Sequence, residues 1–154
     1  MRIRLGHILL AYAAAFLLQT NWLSTFSVIG VSANYVLCAL ILLNSYSERP
    51  AVYAGAVLCG LLSDLCLGQY VGVAALAYLA VSAVLRVVSR ALDQHNVLAV
   101  VYTALWATVL YETIYWLILI LFGGQYRWAY LLARLPGLLF VNGVVTGILK
   151  GITR

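Results

Sequence analysis

Four polar side chains stand inside otherwise apolar sequence and could do chemistry: Asn34, Asp64, Glu112 and Arg134. A charge in such surroundings costs at least about 2.5 kcal/mol on insertion scales, so it needs a partner, water or a function. General acid–base work needs paired groups, and Asp64 and Glu112 lie in separate apolar runs. No nucleophile–base arrangement and no phosphate-cradling glycine loop is present in the sequence. Cys38, Cys59 and Cys66 form no CxxC and read as small buried apolar residues. Cys59 and Cys66 share a helix face, but no third ligand joins them, and His7 and His95 sit near basic residues as interfacial groups. No catalytic residue, metal or cofactor is expected. Two uses remain for the polar set. One is internal satisfaction, with Arg134 paired to Glu112 or Asp64 and the amides bonding neighbouring helices. The other is an outward-facing pocket, or a surface that meets a partner's helix.

The elements that must position these residues follow from composition. Of 154 residues, 66% are hydrophobic and only 8% are charged, where soluble domains carry roughly 25% charged residues. The chain therefore reads as an integral membrane protein. A span needs about 20 apolar residues, and the runs 5–23, 28–43, 51–67, 71–88, 97–122 and 130–149 supply six. They are continuous, unlike the short alternating strands of a membrane barrel. The expected fold is an all-α, six-transmembrane-helix bundle forming a single domain over 1–154. Met1-Arg-Ile-Arg and the apolar run after it imitate a signal peptide, but the run continues to Leu23 and reads as an uncleaved first span.

The joints carry most of the local information. Spans three and four meet at Gly68–Gly72, with Asp64 just before the joint, as a helical hairpin with an acid near its tip. Glycine there allows a tight reversal or a close helix approach. Pro50 suits the first position of span three, where its missing N–H is not needed. Gly143, Gly147 and Gly151 recur every fourth residue and present a small face to another helix. The helix-packing candidates are Gly60, Gly68, Gly72, Gly143 and Gly147.

Orientation follows from the basic residues. With a cytoplasmic N-terminus, Arg2, Arg4, Arg49, Arg86, Arg90, Lys150 and Arg154 lie inside, and Arg127 and Arg134 outside. Both termini are then cytoplasmic. Asn34, Asp64, Glu112 and Arg134 fall in the outer half, together with Gln19 and Asn21, while Asn44 and Asn142 stand apart. The net charge of +5 reflects this bias and contact with anionic membrane lipids, and gives no evidence for nucleic acid.

Residues 31–86 resemble the MreD family of bacterial rod-shape-determining membrane proteins. The resemblance rests on Asn34-Tyr35, the Glu48-Arg49-Pro50 turn, Gly60-Leu-Leu-Ser-Asp64-Leu-Cys-Leu-Gly68, and Gly72-Val-Ala-Ala-Leu-Ala-Tyr78. Where members often carry proline before the span-two asparagine, this chain has Ala33. The resemblance implies a bundle similar to the substrate-binding S-component of energy-coupling-factor transporters. It also implies a non-enzymatic scaffold of the cell-elongation machinery that supports lateral peptidoglycan synthesis. The implied partners are MreC directly and, through the complex, MreB, RodA and a class B penicillin-binding protein. The alternative is a vitamin-binding transporter subunit of the energy-coupling-factor type, which would use the outer polar cluster as its site.

Overall fold

A computed structural model describes residues 5–22, 32–67, 70–92, 96–123 and 128–153. Gly68, His95, Arg2, Arg4, Arg127, Arg154 and the side chains of Asn21, Trp22 and Arg90 lie outside the described residues. Every regular element described is helical: α1 (Leu5–Leu17) running into a π-helical turn (Leu18–Trp22), α2 (Tyr35–Asn44), α3 (Pro50–Leu67), α4 (Val73–Ala91), α5 (Val97–Leu121) and α6 (Trp128–Ile152). Two of these, α5 and α6, are long and apolar enough to cross a membrane. The other apolar segments, Leu5–Thr20, Tyr35–Asn44, Pro50–Cys66 and Val73–Ser89, are shorter.

The second element departs most from its expected length. A run over 28–43 was expected to be helical, yet residues 32–34 are irregular and α2 begins only at Tyr35. The cause is local. Asn34 adopts a non-helical conformation and its side chain accepts the Leu37 N–H, which caps the helix there. The resulting ten-residue helix is the centre of the molecule. It touches α1, α3, α4, α5 and α6, and Val36 to Ile41 are all buried. The other helices form an arc around it, with α1 against α3, α3 against α4, α4 against α5 and α5 against α6.

Outside that centre apolar side chains face outward as well as inward. Each of the five surrounding helices exposes large apolar side chains, among them Leu10, Leu65, Val87, Leu98 and Ile152. So large an apolar surface is foreign to a water-soluble monomer. With little polar surface to turn outward, the inward faces of these helices are chosen by residue size and by the rare polar groups.

Size decides the α3–α4 contact. A Cβ on Gly60 would lie 2.5 Å from the Tyr78 ring and 3.0 Å from the Ala75 backbone, so glycine lets the two helices approach closely. Gly72 acts differently. Nothing stands within 4 Å of a Cβ there, but its φ of +100° is left-handed, so it turns the chain between the helices. Gly143 and Gly147 face Leu105 and Val101 of α5, where a Cβ would lie 3.3 and 3.2 Å from those side chains, while Gly151 faces open space. Pro136 lies inside α6 and removes one backbone donor from it.

These contacts set an order of sensitivity. Gly60→Ala is expected to cost about 1–3 kcal/mol by overpacking, and Gly72→Ala about 1–2 kcal/mol from left-handed backbone. Gly6→Ala, with open space around it, should leave the unfolding temperature in detergent unchanged or slightly raised. Thermal unfolding of the three variants checks the order.

Candidate functional site

The first turn of any α-helix leaves N–H groups without intrahelical acceptors, and in an apolar interior each such donor is costly. The α2 N-terminus is such a place, and α6, the π-turn and the N-cap residue itself supply its acceptors. Asn142 Oδ1 from α6 accepts the Asn34 N–H at 2.9 Å, and Gln19 Oε1 from the π-turn accepts the Val36 N–H at 3.3 Å. Asn34 Oδ1 accepts the Leu37 N–H at 3.0 Å and the Tyr78 hydroxyl of α4 at 2.7 Å. The network continues from Asn142 Nδ2 to Thr108 Oγ1 of α5 at 3.1 Å. Tyr111 packs its ring 4.7 Å from that of Tyr78. Asn142, which depth along the sequence set apart from Asn34, is therefore bonded to it.

Asp64 solves the same problem for α4. That helix starts after Gly72, which has no side chain to cap it. The Asp64 carboxylate, buried at 3% exposure, reaches across the hairpin instead. Its Oδ2 accepts the N–H groups of Gly72 at 3.0 Å, Ala74 at 2.9 Å and Ala75 at 3.3 Å. An anion is favoured at a helix N-terminus both by these donors and by the helix dipole. The partner of Asp64 is thus backbone rather than Arg134. The spacing of Asp64 and Gly72 places the acid on the last turns of α3 and the left-handed residue at the start of α4.

Glu112 of α5 and Arg134 of α6 stand apart from both caps, within electrostatic reach of each other. Arg134 acts electrostatically on Glu112, and Trp116 hydrogen-bonds it from the same helix. The Arg134 guanidinium also lies 5.4 Å from the Tyr130 ring centre, and Tyr130 packs against Trp116 at 5.9 Å. The four candidate polar residues therefore divide into three places: Asn34 in the central network, Asp64 on α4, and Glu112 with Arg134 at the α5–α6 end.

Sequence reasoning passed over a fourth place. Lys150 is buried at 2% exposure. Its Nζ donates to Ser45 Oγ at 3.0 Å and lies 3.8 Å from the centre of the Tyr46 ring. Tyr46 in turn hydroxyl-bonds Thr153, and Tyr53 donates to Asn44 Oδ1 at 2.6 Å. A signal was present: Asn142, Thr146 and Lys150 recur every fourth residue, one position ahead of the glycines. This polar stripe includes both contacts from α6 to the ends of α2, at Asn34 and Ser45.

No group of three or more histidine, cysteine or acidic side chains suited to a metal occurs among the described residues. Chemically, the arrangement holds helices in register, and the oxygens of Asn34, Asp64 and Asn142 are occupied by hydrogen bonds. Compared with known proteins, the chain matches no family model, no curated protein and no solved structure.

Two variants separate backbone capping from ion pairing. Asp64→Leu strands buried donors at about 1–3 kcal/mol each and should abolish folded protein. Asp64→Asn keeps an acceptor and should lose only about 1 kcal/mol of charge–dipole stabilisation. Adding Arg134→Gln to Asp64→Asn should restore nothing, and rescue of the unfolding temperature by that pair would contradict the capping role. Asn142→Leu, which removes the acceptor for Asn34 N–H, should destabilise more than Gln19→Leu, whose hydrogen bond is longer.

Proposed function

We propose that the chain is a multi-pass membrane protein that acts as a non-catalytic scaffold of the MreD kind. All six helices lie within the bilayer region, and both termini are cytoplasmic. In this reading it binds an MreC-like partner and supports lateral peptidoglycan synthesis and cell shape. The observation that carries the proposal is the use made of the residues on which the family resemblance rests. Asn34 and Asp64 both cap buried helix N-termini, so their part is to define a helix arrangement that a partner can read. The apolar side chains exposed on the five surrounding helices support placement in lipid. Arg86 and Lys150 at one end, against Arg134 at the other, support the orientation.

One observation favours a second reading, a vitamin-binding transporter subunit. Arg134 acts electrostatically on Glu112, and the ring pairs Tyr111–Tyr115 and Trp116–Tyr130 lie on the same two helices, groups that suit a small polar molecule with an aromatic or charged part.

Mild-detergent purification with mass spectrometry of proteins and small molecules separates the two. The scaffold reading expects an MreC-like protein to co-purify, and loss of the chain to round the cells without altering vitamin uptake. A stoichiometric vitamin released by Glu112→Gln, with cell shape unchanged on deletion, would replace the scaffold with the transporter.

A further inference from the structure

A groove of about 530 Å³ runs along the outer side of the α3–α4 pair. Its chemistry changes in order along its length. At the end where α3 begins and α4 finishes stands Arg86, exposed, its guanidinium 5.5 Å from the centre of the Tyr53 ring. No carboxylate pairs with Arg86 among the described residues. One helical turn inward, about 5.4 Å, Ser82 is buried in the groove wall with its hydroxyl unpartnered among the described residues. Beyond it the walls are apolar, ending at the exposed Leu79 and Leu58. Ala54 and Ala83 line the groove with the smallest side chains, which is why it is open. From Arg86 to Leu79 is seven residues, about 10 Å at the helical rise.

We propose that this groove holds one anionic phospholipid, with its phosphate at Arg86 and an acyl chain laid between α3 and α4. The inference rests on the membrane placement argued above. A phospholipid presents the same sequence of chemistry as the groove: an anion, then ester oxygens, then hydrocarbon. The guanidinium offers a planar fork of donors to the phosphate oxygens. Ser82 lies in the groove wall at the depth of the glycerol esters, so the wall is polar where the lipid is polar. The apolar remainder matches the acyl chain and has nothing to offer a free phosphate ion. The neighbouring groove between α4 and α5, lined by Tyr102 and Trp106, has no charged residue and makes no such match.

The test uses the full chain, extracted in mild detergent, delipidated and titrated with dioleoyl phosphatidylglycerol or dioleoyl phosphatidylcholine. Native mass spectrometry counts lipid per chain. One phosphatidylglycerol should be retained in preference to phosphatidylcholine. R86Q should lower that preference about fivefold, the equivalent of roughly 1 kcal/mol per basic residue at an anionic surface. A83F fills the groove without changing charge and should lower retention as well; A54L serves if A83F fails to unfold cooperatively. Equal retention of both lipids, or wild-type preference in R86Q, overturns the site. Reduced preference in R86Q with A83F and A54L unchanged means surface attraction alone, and overturns the groove. Recovery of the chain in the soluble fraction would overturn the membrane placement and the lipid site together. Failure to capture an MreC-like partner would sink the scaffold reading while leaving lipid per chain as measured.

Discussion

A helix that begins inside an apolar bundle must find acceptors for its first N–H groups, and the rest of this structure depends on that constraint. Both α2 and α4 begin among buried residues. Neither can rely on water, and neither carries a full cap of its own. For α4 the acceptor is the Asp64 carboxylate of the preceding helix. For α2 it is a set of amide oxygens from the π-turn, α6 and the N-cap residue itself. Asp64 and Asn142 are buried where a backbone donor needs an acceptor.

This requirement explains why so few polar residues control so apolar a chain. Apolar helices pack almost equally well at many rotations, because any face can meet any other. Directional bonds remove that freedom. Asn142 and Lys150 contact the opposite ends of α2 from one face of α6, fixing both its rotation and its height. The Tyr12 hydroxyl, bonded to the Val52 carbonyl at 2.6 Å, does the same for α1 against α3. The short helix at the centre is held at both ends, and the long helices are registered on it.

The functional reading grows from the same economy of polar groups. Acids and amides already engaged in capping are poor candidates for proton transfer, since their lone pairs point at backbone donors. What the molecule offers outward is apolar helix surface, a basic end and Glu112 with Arg134. Those suit the proposed scaffold, which would work by contact with lipid and with another protein's helices.

Hydrophobic runs and their breaks already specified the helices of the described residues, and Pro50 and Gly72 marked where helices start and turn. The small face of Gly143 and Gly147 was legible as well, because fourfold spacing on a helix is a purely local property. The partners of the polar residues were not legible. Asp64 could have met an arginine as readily as a backbone end, and only the hairpin geometry put three N–H groups around it. Asn34 and Asn142 are 108 positions apart, and their bond exists because α2 starts late, which hydropathy across 28–34 concealed. Burial of Lys150 likewise needed the end of α2 beside it. Local spacing and composition determine which segments become helices and which faces are small; which buried donor meets which acceptor is decided only when helices distant in sequence close around one another.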